Sequence, residues 1–129
     1  MQIKAKTVIN AELFVQTEID GFQIITEAPV SAGGTGRYPP ATRLVIASLL
    51  NCSLSDVKAF LQARGIPING LELDFTGIVE EGFYKEIQFI LTLPKDFPEK
   101  YQNAVEKAIE ACTVKKIMKN LPEIKLTIQ

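Results

Sequence analysis

Hydrophobic and polar positions alternate over the first thirty residues and again from Leu71 to Leu91, the two-residue period of strands with one wet face. Ile3, Val8 and Ile9 mark a first strand within Gln2 to Ile9, followed by a turn at Asn10-Ala11. Leu13, Val15, Thr17 and Ile19 alternate with Phe14, Gln16 and Glu18. Asp20-Gly21 is a strong hairpin signal, and Phe22, Ile24 and Thr26 return from it. Further on, Leu71, Leu73, Phe75, Gly77 and Val79 alternate with acidic and polar neighbours, Glu80 to Phe83 turns the chain, and a partner strand runs to Leu91 before Pro94. Ile124, Leu126 and Ile128 predict a last strand.

Two stretches have a different character. From Pro39 to Gly65 the pattern predicts a long helix, with prolines at its start and a glycine at its exit. Nearly every residue from Leu44 to Leu50 is apolar, which places this helix in the middle of a core. A second helix is expected from Asp96, with Pro98 in its first turn and Glu99 three residues after Asp96 in a capping-box pattern. Its apolar stripe is Tyr101, Ala104, Val105, Ala108, Ile109 and Cys112. A short basic piece from Val114 to Asn120 ends before Pro122 and reads as a solvated helix end. The order of strands, helix, strands, helix, strand predicts an α+β fold with antiparallel sheets around a long buried central helix, and 129 residues suit a single domain over 1–129.

Composition removes several chemistries. Lys plus Arg total 14 and Asp plus Glu 15, a net charge of −1, so no nucleic-acid partner is expected. There is no histidine, and two cysteines without one make neither a usual zinc site nor any other expected metal or cofactor site. No apolar run is expected to span a bilayer and no signal peptide is apparent, so no membrane partner is expected and the chain reads as cytoplasmic. The loop from Pro29 to Pro40 contains Gly33-Gly34-Thr35-Gly36, but lacks the lysine and the spacing of a phosphate-binding loop and reads as a connector. Arg37 and Tyr38 end that loop, where they could line a pocket.

Chemistry rests on Cys52 and Cys112, both expected to point inward from helices. Buried thiols often only fill space. The alternative is a dithiol, in which one thiolate attacks a peroxide and the other resolves the sulfenic acid. Cys52 lies too deep in its helix for the terminal dipole to help it, and Cys112 is expected near a helix C-terminus, where the dipole opposes a thiolate. A cation must then come from elsewhere. Arg43 is nine residues before Cys52 on the same helix, which puts it on nearly the opposite face and roughly 13 Å away along the axis. The candidates are Arg37 from the loop, or an arginine, Arg43 included, of a second chain.

The chain resembles the OsmC/Ohr family of thiol peroxidases over nearly its whole length. The resemblance lies in an N-terminal meander, a Gly/Pro loop leading through Pro39-Pro40 into a long apolar helix with Ala47-Ser48-Leu49-Leu50-Asn51-Cys52, a strand pair, and an amphipathic helix ending Ala108-Ile109-Glu110-Ala111-Cys112-Thr113-Val114. It implies an intertwined homodimer that reduces hydrophobic organic hydroperoxides, with Cys52 peroxidatic, Cys112 resolving, and a dithiol reductant restoring both. Peroxidase members carry acidic residues at the start of the cysteine helix, where this chain has Thr42 and Arg43; they carry an N-terminal arginine, and none precedes Arg37 here; and Thr113 stands where a proline is usual. Arg37 or Arg43 is the expected substitute for the missing arginine. The alternative function is a non-enzymatic dimer that binds a small hydrophobic ligand, its cysteines structural.

Overall fold

A computed structural model describes residues 1–9 and 13–129. The fold is mixed α and β, with antiparallel sheets and a long helix. The chain gathers into two compact units, Met1–Ala47 and Ser48–Gln129.

The first unit is built on a three-stranded antiparallel sheet in the order β1 (Ala5–Ile9), β2 (Phe14–Ile19), β3 (Phe22–Glu27). The turn expected at Asn10-Ala11 lies outside the described residues. The β2–β3 hairpin follows from its sequence. Asp20 and Gly21 both take positive φ, 49° and 82°, the two-residue turn whose twist matches paired strands. After β3 the loop does more than connect. Thr35 donates to the Glu27 carboxylate through its backbone N–H and, at 3.0 Å, through its hydroxyl. The amides of Gly36 and Tyr38 donate to the same carboxylate at 3.1 and 3.2 Å. The glycine-rich loop is thus an anion cradle, and its own chain supplies the anion. Burial raises the Glu27 pKa, but the bonds from Thr35, Gly36 and Tyr38 outweigh it and hold the carboxyl below its ordinary value.

Helix α1 (Ala41–Ala63) begins in this unit and continues through the second. The sequence predicts a helix buried all round; the observed burial is a stripe, Leu49, Ser53, Val57 and Leu61, at four-residue steps. Leu44, Ile46 and Leu50 are half-buried and Val45 is 46% exposed. The helix is also longer and more apolar than its uninterrupted apolar runs suggest. Its 23 residues, with a mean hydropathy of 1.5 in the most apolar window, reach the length and composition of a membrane span. Core helices meet the same criterion, and Val57 and Leu61 belong to a core cluster with Val105.

In the second unit β4 (Glu72–Glu80) and β5 (Phe83–Thr92) form an antiparallel pair joined by a tight turn, where Glu81 and Gly82 take φ of 50° and 82°. The expected start of the next helix is displaced. Asp96 has φ 61° and cannot cap a helix there; Pro98 disfavours helical geometry in the residue before it. A 3-10 turn at Glu99–Tyr101 leads into α2 (Gln102–Glu110), and α3 (Thr113–Lys119) follows as a separate helix rather than a frayed end. The expected last strand is absent: residues 121–129 carry no regular structure, and Ile124, Leu126 and Ile128 are 84–90% exposed. Alternation alone does not make a strand without an edge to pair with.

Candidate functional site

The break between α2 and α3 falls at Cys112. Ala111 closes α2 by donating to Lys107 O at 2.9 Å, and the Cys112 amide donates to Ile109 O at 3.2 Å. Cys112 itself has φ −49° and ψ 127°, the extended geometry of an N-cap, and its carbonyl accepts the first bond of α3 from Lys116 N at 3.0 Å. Cys112 therefore sits between two helices, directly after the end of α2 and at the N-cap of α3, rather than at a helix C-terminus alone as the sequence predicts.

α1 supplies the rest of the site. Cys52 and Ser53 are consecutive on it, so their side chains diverge by about 100°, and both act on the Cys112 sulfur. Cys52 is half-buried, Cys112 and Ser53 fully buried, and both cysteines are free thiols. Burial is the largest influence on Cys112 and raises its pKa. The Lys115 amide, the Ser53 hydroxyl, the Cys52 thiol and the Val114 amide act against it and together bring the pKa below the ordinary thiol value. No hydrogen bond of ordinary geometry caps α3 from the Cys112 side chain, and the Ser53 hydroxyl has no formed partner either.

The sequence singled out both cysteines, and the structure brings them together. It leaves Arg37 and Arg43 in the first unit. Arg37 lies over the Tyr38 ring at 5.8 Å, and its amide donates to Thr35 Oγ1 at 3.3 Å. Arg43 is in the first turn of α1, its amide bonded to Pro40 O at 2.9 Å. Ser53 was missed. Its signal was present: it is the polar member of the otherwise apolar stripe Leu49, Val57, Leu61.

A cavity of about 700 Å³ opens in the second unit, lined by Leu49, Phe89, Leu91, Val105 and Ile109, with Glu110 and Lys115 among its polar groups. Lys115 Nζ bonds Glu110 at 2.9 Å and lies over the Phe89 ring at 5.6 Å. That bond is the main reason the Glu110 carboxyl titrates below its ordinary value. Among the described residues no cluster of potential metal ligands occurs.

Residues 34–127 match the family described as OsmC-like protein. The fold is that of several solved structures. One is a protein of Psychrobacter arcticus 273-4 named for an osmotic stress induced and detoxification response, with TM-score 0.73, 23% identity, and coverage of 87% of this chain and 85% of that one. An OsmC-like protein from Mycoplasma pneumoniae gives 0.72 at 15% identity, covering 94% and 89%. An organic hydroperoxide resistance protein from Elizabethkingia anophelis gives 0.59 at 18% identity, covering 94% and 90%. No curated protein matches the chain.

Proposed function

Because the chain belongs to the OsmC-like family, we propose that it is a thiol-dependent peroxidase that reduces organic hydroperoxides through Cys52 and Cys112. The observation that carries this reading is the convergence of the two thiols, about sixty positions apart in sequence, beside the buried Ser53. Cys52 is the more exposed of the pair and meets the peroxide. Its sulfur takes the distal oxygen, the alcohol leaves, and Cys112 displaces hydroxide from the sulfenic acid to form the disulfide. A dithiol reductant in a reducing, cytoplasmic setting then restores both thiols. The apolar cavity suits an alkyl chain. Two fold relatives named as organic hydroperoxide resistance proteins point the same way.

The working form is a homodimer. The exposed apolar residues of the tail and the incompletely buried α1 provide the surface for it. Arg37 from the loop, or an arginine of the second chain, Arg43 included, is the candidate cation for the substrate side. The test is intact mass and free-thiol count after one equivalent of cumene hydroperoxide. Loss of two hydrogens with both thiols consumed, abolished by Cys52→Ser, is the expected result. Thiols that survive prolonged exposure refute the reading. Arg43→Met lowers the rate of thiol loss if that residue serves the site; an unchanged rate leaves Arg37.

A further inference from the structure

The Glu27 cradle is divided between the two sides of one residue, Arg37. Glu27 Oε1 accepts from the amides of Thr35 and Gly36, the residues before it. Glu27 Oε2 accepts from the Thr35 hydroxyl at 3.0 Å and from the amide of Tyr38, the residue after it, at 3.2 Å. Arg37 joins the same network, its own amide donating to Thr35 Oγ1 at 3.3 Å. The exit of the loop is held as well. The Tyr38 ring meets Phe14 edge-on at 5.6 Å, and Glu27 N donates to Pro39 O at 3.2 Å. A connector between β3 and α1 does not require this. Burying a carboxylate is costly unless its oxygens are filled, and Glu27 is only 5% exposed. What the cradle gains is a fixed backbone at Arg37, an exposed cation near the end of the loop.

We propose that Glu27 is a positioning residue that acts through Arg37: its carboxylate fixes the loop on both sides of Arg37 and so sets where the guanidinium is presented. The proposal rests on the peroxidase reading for its consequence and deepens it, because it selects Arg37 as the cation that serves the peroxide. Glu27 itself touches no reacting atom. The cradle requires the charged carboxylate and not merely its shape. All four groups that meet the two oxygens are donors. A glutamine in the same place offers one oxygen and one nitrogen, and the nitrogen would face donors whichever way the amide turned. One orientation loses the amide of Gly36 before Arg37, the other the amide of Tyr38 after it. The groups acting most strongly on the Glu27 carboxyl are these uncharged donors of Thr35, Gly36 and Tyr38, and opposite it in the sheet stands Phe14. The Arg37 guanidinium lies over the Tyr38 ring, 5.8 Å from its centre.

Two measurements test it. The first needs no peroxide. The order parameter of the Arg37 backbone N–H, from amide relaxation, should be about 0.85 in the wild type, the value of a rigid backbone, and below about 0.6 in Glu27→Gln. An Arg37 amide equally rigid in both overturns the proposal. Thr35→Val removes one exposed hydroxyl that bonds both Glu27 and the Arg37 amide, and it should lower the order parameter in the same direction. If Glu27→Gln does not fold, an unmoved Arg37 in Thr35→Val overturns the proposal instead. The second is the rate of Cys52 thiol loss with cumene hydroperoxide, under conditions where every variant is folded. Arg37→Met should slow it about tenfold, the worth of one hydrogen bond to a charged group, and Glu27→Gln by no more than that. The double variant should match Arg37→Met alone within about twofold, because a residue that acts through another adds nothing once the other is gone. Losses that multiply, or an Arg37→Met rate equal to wild type, overturn the action through Arg37. If the wild type does not react with hydroperoxide, the peroxidase reading falls and the consequence for the peroxide with it, while the order parameter still decides whether Glu27 fixes Arg37.

Discussion

Gly34 is the position where adding one carbon should test the first unit most severely. A Cβ built there lies 1.8 Å from the carbonyl oxygen of Ala28 and 2.9 Å from Glu27 Oε1. The first contact is with backbone, so no rotamer change relieves it, and the two segments must separate by more than about 1 Å to reach the closest contact a real Cβ shows. They are not free to do so. Ala28 N is tied to Leu13 O at 3.3 Å, Glu27 N to Pro39 O at 3.2 Å, and Gly34 N to Pro29 O at 3.1 Å. Overpacking of this kind costs about 1–3 kcal/mol, and loss of one of the tying bonds adds about 1 kcal/mol. Gly34→Ala should therefore destabilise the protein by about 2–4 kcal/mol. The measurement is urea unfolding of both proteins at the same protein concentration, since association would otherwise shift the midpoint. A variant within about 0.5 kcal/mol of wild type, the range of a neutral surface change, would mean that the loop does not close on Ala28 and that the Glu27 cradle is not formed.

Three further outcomes follow from named contacts. Leu61 is fully buried among Val57 and Val105, so Leu61→Ala should cost about 2–5 kcal/mol in urea unfolding, and a cost near zero would place the core elsewhere. Glu27 has its carboxyl pKa lowered on folding, so its contribution is complete above the ordinary carboxylate range and is lost as pH falls through the folded-state value. The stability gap between wild type and Glu27→Gln should be widest near neutral pH and close in acid; a gap independent of pH would contradict the charged, bonded carboxylate. The Glu110 side chain is 64% exposed, and its pairs with Lys115 and Lys119 at 2.9 and 3.7 Å are screened by water. Glu110→Gln should cost less than about 1 kcal/mol and lose its effect at high salt, which paired denaturation at two ionic strengths would show.

What could be read from the chain is what short-range chemistry decides. Asp20-Gly21 announces its hairpin because only a few residue pairs accept two positive φ angles in succession, and Pro39-Pro40 and Gly65 bracket α1 for equally local reasons. The Glu27 cradle could not be read this way. Its bonds join residues eight to eleven positions apart, and nothing in Gly-Gly-Thr-Gly says whether the anion it holds is a ligand or a side chain. The tail was misread for a related reason. Ile124, Leu126 and Ile128 have the period of a strand, but a strand is a property of two segments, and the second is not in the sequence pattern.

The site shows how one boundary can change an electrostatic argument. No glycine or proline separates Ile109 from Val114, so the apolar period reads straight through Cys112 and places it at a helix C-terminus. A helix end contributes only about 0.3–1 kcal/mol in either sense, and Cys112 stands between two of them, after the last turn of α2 and at the N-cap of α3, so the two contributions oppose each other. Burial raises the Cys112 pKa and the groups beside the sulfur lower it, and those groups depend on which residues of α1 lie near the break. That face is legible in the sequence. A stripe of Leu49, Val57 and Leu61 interrupted by a serine is a core position holding a hydroxyl, and a core hydroxyl requires a partner.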